Sequence, residues 1–174
     1  MKTLLDTHQF EVVIQRLCHQ LIENHLSFDN TVIIGIQPRG IHLSDRIVPY
    51  INKQLKKEVK YGKLDITFYR DDFKSNFHSA NATDILFSID GKNVILVDDV
   101  LYTGRTIRSA LDAILDYGRP EKVELLTLID RRFKRQLPIQ ADYIGKTVDS
   151  IHSQRVKVFW KENDKKNQVV LLDE

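Results

Sequence analysis

A chain of 174 residues suits one α/β domain able to bury roughly two-thirds of its unfolded surface. Its 26 Lys and Arg against 24 Asp and Glu carry no whole-protein signal for nucleic acid or membrane, so any basic surface must be local. The one cysteine, Cys18, lies among apolar residues at helical spacing and fits a reducing compartment; with no signal-like apolar run and no stretch near the ~18 residues of a membrane span, a soluble, cytoplasmic protein with no membrane partner is expected.

Phe10, Val13, Ile14, Leu17 and Leu21 recur at three- and four-residue steps, which predicts an amphipathic helix over about 8–25 covering one face of a sheet. Thr31 to Ile36 is a β-branched apolar run, and Gly35 with Pro38-Arg39-Gly40 breaks it before the helical pattern Ile41 to Leu55. Lys63 to Tyr69 alternates like a strand, while Asp71 to Ser88 mixes Asn, Ser, Asp and Lys without periodicity, as a functional surface loop does. Asn93 to Val97 reads as a buried strand, 104–117 as a helix ended by Gly118 and Pro120, and Val123 to Ile129 as another strand. This alternation predicts a mainly parallel sheet flanked by helices. After Asp130 come a basic tract and strand candidates at Tyr143 to Val148, Arg155 to Trp160 and Val169 to Leu172, a small hood over about 131–174 within a single domain spanning 1–174.

A strand ending at Val97 delivers Asp98 and Asp99 to the carboxyl edge of the sheet, where open α/β folds bind ligands. Directly after them, Thr103-Gly104-Arg105-Thr106 joins a flexible glycine, two hydroxyls and a helix start, so backbone N–H groups and the helix dipole can converge on a phosphate. Adjacent carboxylates repel phosphate. Their proximity to an anion cup makes sense when they hold ribose hydroxyls or hydrated magnesium between them, as a phosphorylated sugar would supply.

The run VILVDDVLYTGRT resembles the phosphoribosyl pyrophosphate (PRPP) signature of type I phosphoribosyltransferases. GIQPRGIHL, DITFYRDD, YGRP, LID and LPIQADYIGK extend the likeness to the pyrimidine-operon regulators that double as uracil phosphoribosyltransferases. The resemblance implies the type I α/β fold with a C-terminal hood, and magnesium-dependent conversion of uracil and PRPP to UMP and pyrophosphate. It implies that Asp98, Asp99, Val100, Leu101, Tyr102, Thr103, Gly104, Arg105 and Thr106 hold the ribose and 5′-phosphate, with Asp98 and Asp99 meeting Mg2+ through water. It assigns pyrophosphate to Pro38, Arg39 and Gly40, in a loop whose unusual peptide geometry turns an N–H toward that group. Arg70, Asp71 and Asp72 would open a closing loop, and Arg131, Tyr143 and Ile144 would meet the base. Tyr102 stands where purine-salvage relatives carry an acid, which favours a pyrimidine.

Arg131-Arg132-Phe133-Lys134-Arg135 suits phosphate contact or RNA stacking. Regulators of the family usually show a glycine and a histidine at the positions matched here to Arg132 and Phe133, and basic residues at those of Asn24 and His152, so this chain departs from them. Two other readings stay open: a UMP-responsive RNA-binding regulator, with RNA as a partner, and a purine-salvage transferase. Members of the family commonly associate, so a homo-oligomer is expected.

Overall fold

The computed structural model describes residues 1–71, 81–151 and 153–173. Its main sheet is built from apolar runs: β2 (Thr31–Ile36) is buried along its whole length, as a strand covered on both faces must be. It pairs in parallel with β3 (Lys60–Leu64) on one side and β4 (Asn93–Leu101) on the other. Then come β5 (Lys122–Arg132) and β6 (Tyr143–Asp149), giving five parallel strands in the order β3-β2-β4-β5-β6. Period-two alternation sends Ile33, Ile95 and Leu126 to one face, where α1 (Thr7–His25) and α2 (Gly40–Leu55) bury Phe10, Leu17, Leu43 and Ile47. It sends Val32, Ile34 and Leu96 to the other, against Ile107, Ala110 and Ile114 of α3 (Arg105–Ile114).

The first helix starts where Asp6 and Gln9 satisfy each other's backbone N–H groups at 2.8 and 3.1 Å, a reciprocal capping box. Elsewhere the structure redraws the expected boundaries. The strand expected over Lys63 to Tyr69 is β3, three residues earlier, because the Asp65 carboxylate accepts from the backbone and hydroxyl of Thr67 at 3.1 and 2.6 Å and folds Thr67–Tyr69 into a 3-10 turn. The helix expected to reach 117 ends at Ile114 and tightens into a 3-10 turn, Leu115–Tyr117, before Gly118 at φ 136°.

The hood also differs from its predicted span. β6 is the fifth strand of the main sheet. The separate antiparallel sheet, in the order β1-β8-β7, joins β7 (Gln154–Phe159) and β8 (Gln168–Asp173) to β1 (Lys2–Leu5) at the opposite end of the sequence. A short helix, α4 (Lys161–Asp164), connects β7 to β8. Trp160, 1% exposed, ties this sheet to the helical layer through an edge-to-face contact with Phe10 at 5.2 Å, and Arg46 lies over both rings. No helix among the described residues is long and apolar enough to cross a membrane.

Candidate active site

The acidic pair lies inside β4, which stays in register with β5 as far as Leu101 opposite Asp130, rather than beyond a strand ending at Val97. Successive strand residues face opposite ways, and the two carboxylates accordingly serve two hollows. Asp98 lines a cavity of about 670 Å3, and Asp99 one of about 170 Å3. Both are nearly buried, at 7% and 5% exposure. Burial first, and the Asp99 carboxylate second, push the Asp98 pKa well above the usual carboxylate range; the Asp99 amide, which donates to Asp98 Oδ1 at 2.9 Å, and the guanidinium groups of Arg39 and Arg70 only partly offset this. A carboxylate held so short of positive charge is suited to a ligand that brings a cation.

The larger cavity is closed on its far side by the turn into α3. Gly104, at φ 92°, makes that turn, and a side chain there would meet Ile139 at 3.0 Å. The Thr103 carbonyl accepts from the amides of Gln136 and Leu137 at 2.9 and 3.2 Å, which clamps the loop from outside. Gly104 brings no side chain to cap α3, and the Arg105 amide donates to Thr103 Oγ1 at 3.4 Å, so the N–H groups that follow and the helix dipole serve the cavity lined by Thr103, Gly104, Arg105 and Thr106. The volume lies within the range of small-molecule sites. Arg70 and Asp71 form the opposite lip, where the Asp71 carboxylate pairs with the Arg105 guanidinium. Asp72 lies outside the described residues, as does His152.

The loop after β2 reaches the smaller hollow. A Cβ at Gly40 would sit 2.3 Å from the Val97 carbonyl oxygen, so only glycine lets α2 begin flush against β4. The Gln37–Pro38 peptide is cis. Arg39 then turns over the sheet edge, donating from Nε to Asp99 Oδ2 at 2.8 Å and from an Nη to the Val158 carbonyl of β7 at 2.9 Å. Pro38, Arg39 and Gly40 thus stand beside the acidic pair, with Arg39 bridging it to the hood. Arg155 and Lys157, alternate residues of β7, line the same hollow. They had no site role in the sequence reading, although the alternation RVKV places both cations on one face of a strand.

Arg131, at the carboxyl end of β5, is buried at 5% exposure. Its guanidinium stacks 4.0 Å from the centre of the Tyr102 ring and donates to Ser150 Oγ at 2.9 Å and the Gln154 carbonyl at 2.7 Å. Arg131 therefore joins the site from behind Tyr102. Tyr143 and Ile144 open β6, where Ile144 pairs with Thr127, itself opposite Asp98, and the Tyr143 ring is buried in the core on the α1 face of the sheet. There the Tyr143 hydroxyl meets Asn24 and His25, both at 3.1 Å, and His25 Nε2 lies 2.7 Å from Glu124 Oε2.

The basic tract is mostly engaged within the chain. Arg132 makes a two-pronged contact with Asp149 at 2.7 and 2.8 Å, and Arg135 holds Asp130 and the Tyr102 carbonyl. Phe133 takes a left-handed backbone, φ 66°, and stands 79% exposed. Among the described residues no group of three or more His, Cys, Asp or Glu could hold a metal. The acidic pair offers the hard oxygen ligands that magnesium takes when phosphate oxygens and water supply the remainder.

A family profile described as the phosphoribosyl transferase domain matches residues 1–163. The chain is 46% identical over 173 residues to the Bifunctional protein PyrR of Actinobacillus pleuropneumoniae, covering 98% of this chain and 96% of that protein. It is 41% identical over 174 residues to the protein of the same name from Bacillus cereus, with coverage of 98% and 96%. Among solved structures it is similar to the hypoxanthine phosphoribosyltransferase of Trypanosoma cruzi, with a TM-score of 0.75, 16% identity and coverage of 99% of this chain and 97% of that one. A second, from Staphylococcus aureus, gives 0.71 at 20% identity, with coverage of 97% and 90%. At these identities the structural likeness speaks for the fold.

Proposed function

Because the chain belongs to the phosphoribosyltransferase family, we propose that it is a magnesium-dependent uracil phosphoribosyltransferase that converts uracil and PRPP to UMP and pyrophosphate. The observation that carries this reading is the placement of one acidic pair between two unlike hollows, a phosphate-type helix start on the Asp98 side and a cationic hollow on the Asp99 side. PRPP has that form, with a ribose between two anionic ends.

In this reading Thr103 to Thr106 hold the 5′-phosphate, Asp98 and Asp99 the ribose hydroxyls, and Arg39 the pyrophosphate. The bond from ribose carbon one to pyrophosphate oxygen breaks, with its electron pair leaving on the oxygen. Carbon one gains cationic character, and uracil N1 closes the new bond as its proton passes to solvent. Magnesium, when bound with PRPP, would neutralise charge on the departing group, and Asp98 and Asp99 are the residues that would hold it, through water. The weak nucleophile needs less help than the leaving group, so the site's cations are spent where negative charge develops. Tyr102, backed by Arg131, walls the carboxyl edge of the sheet with an aromatic face rather than an acid, which suits a single-ring base. UMP at saturation is expected to shift the backbone amide resonances of Thr103 to Thr106 more than those of any other segment. Shifts confined elsewhere would count against the assignment of the 5′-phosphate.

RNA control is a second reading, favoured by the word bifunctional in the relatives' name and by the exposed Phe133. Weak binding at low salt would be uninformative, because any basic tract contacts phosphates. Specific control requires at least a tenfold preference, about 1.4 kcal/mol, for a pyrimidine-gene leader over a scrambled RNA, and its modulation by uridine nucleotides. With Arg132 and Arg135 engaged by Asp149 and Asp130, we expect the preference to fall below tenfold when both RNAs are titrated at ~0.15 M salt with and without UMP. A UMP-dependent leader preference above that threshold would establish the dual role instead.

A further inference from the structure

We propose that Ser150, just past the end of β6, is a positioning residue for the base: its hydroxyl holds the Arg131 guanidinium in the stack that fixes the Tyr102 ring. This rests on the transferase reading and adds to it a residue to which the sequence gave no role. Strand register brings the parts together. β4 and β5 pair Leu101 with Asp130, so the next residues along, Tyr102 and Arg131, stand side by side. β5 and β6 pair Arg132 with Asp149, which brings Ser150 to the same edge one residue later. Arg132 grips the Asp149 carboxylate with both prongs, at 2.7 and 2.8 Å, and so fixes the backbone that enters Ser150.

The connection into β7 delivers a second acceptor to the same guanidinium. The Gln154 amide donates to the Ile151 carbonyl and the Gln154 side-chain oxygen accepts from the Ile151 amide, both at 3.2 Å, so the chain doubles back and returns the Gln154 carbonyl to Arg131. Ser150 Oγ accepts from Arg131 Nε at 2.9 Å and the Gln154 carbonyl from an Nη at 2.7 Å. Bonds from different nitrogens of a rigid, planar fork fix its plane as well as its place. Ser150 is 6% exposed and Arg131 5%, so solvent does not stand in for the hydroxyl. Without it a buried N–H loses this acceptor and the guanidinium turns to find another. Tyr102 depends on that anchor more than a core ring does, because it is 36% exposed and the guanidinium lies 4.0 Å from its centre. Cation–π attraction alone is weakly directional; the serine supplies the direction. The ring lines the cavity that also holds Asp98 and Thr103 to Thr106, so where it stands decides where a flat base lies relative to the ribose.

The test separates the base from the sugar-phosphate. Steady-state UMP formation with magnesium is measured for the wild type, Ser150→Ala and Ser150→Thr, varying uracil at saturating PRPP and then PRPP at saturating uracil, with thermal unfolding as the check on folding. Ser150→Ala is expected to raise the KM for uracil about tenfold and to leave the KM for PRPP within about twofold, while Ser150→Thr, which keeps the hydroxyl, restores most of the loss. In an Arg131→Met background the alanine change should add less than about twofold, since the hydroxyl acts through the guanidinium. Should Ser150→Ala fail to fold, Ser150→Cys, similar in size but a weak acceptor, carries the same expectation. An unchanged KM for uracil, an equal rise for both substrates, or a full effect in the Arg131→Met background overturns the assignment while leaving the transferase reading intact. Wild-type protein that forms no UMP overturns the transferase reading and this assignment with it.

Discussion

Asp98→Asn/Asp99→Asn is expected to fold like the wild type and to lose phosphoribosyl transfer by roughly a hundredfold or more, the scale on which preorganised electrostatic contacts contribute to turnover. Asparagine keeps the volume of each side chain, and an amide oxygen can still accept the 2.9 Å bond from the amide of residue 99, so packing at the end of β4 is preserved. What disappears is charge. The stability consequence runs opposite to that for activity. Because the folded pKa of Asp98 is raised, the native state holds its proton more tightly than the unfolded chain does, and wild-type stability declines as pH rises from the ordinary carboxylate range through the raised value. A residue that cannot ionise removes that decline. Loss of the Arg39–Asp99 pair counts for little against it, since the Arg39 side chain is 49% exposed and screened by solvent. Thermal unfolding at neutral pH should therefore show no large drop, and steady-state turnover with saturating PRPP and magnesium should collapse. Full turnover in the folded double variant would remove the acidic pair from the chemistry.

The parts of this arrangement that were legible in sequence are those made by contiguous residues. β2, β4 and β5 announce themselves as apolar runs because both faces of the sheet are covered. Asp98 to Thr106 carries its geometry locally, as strand, turn and helix start. Gly40 is a subtler case: likeness placed it in the pyrophosphate loop, and the structure adds that a side chain there would meet the Val97 carbonyl. Features assembled across the chain were not legible. β1 has only four residues, too few for a period, and its partner β8 lies at the other end of the sequence. Arg155 and Lys157 meet the hollow beside Asp99 only when β7 is laid over the end of β4. Tyr143 shows the same limit, because the partners of its hydroxyl, Asn24 and His25, come from the far end of α1.

The second large effect concerns which base is used. Tyr102, 36% exposed, presents its ring at the mouth of the larger cavity and is held from behind by Arg131, whose two hydrogen bonds to Ser150 and Gln154 keep the stack in place. A stacked phenol offers a flat, neutral wall and no carboxylate for a purine ring, so discrimination by shape and by unpaired polar groups should favour uracil over purines by about a hundredfold or more in kcat/KM. The most direct measurement is product formation from uracil, hypoxanthine, guanine, xanthine and orotate, each supplied separately with PRPP and magnesium. UMP from uracil, with the other four bases at least about a hundredfold slower, is the predicted result. Purine nucleotide formed at a rate equal to or above that of UMP, or no UMP at all from a folded, magnesium-saturated protein, would contradict it.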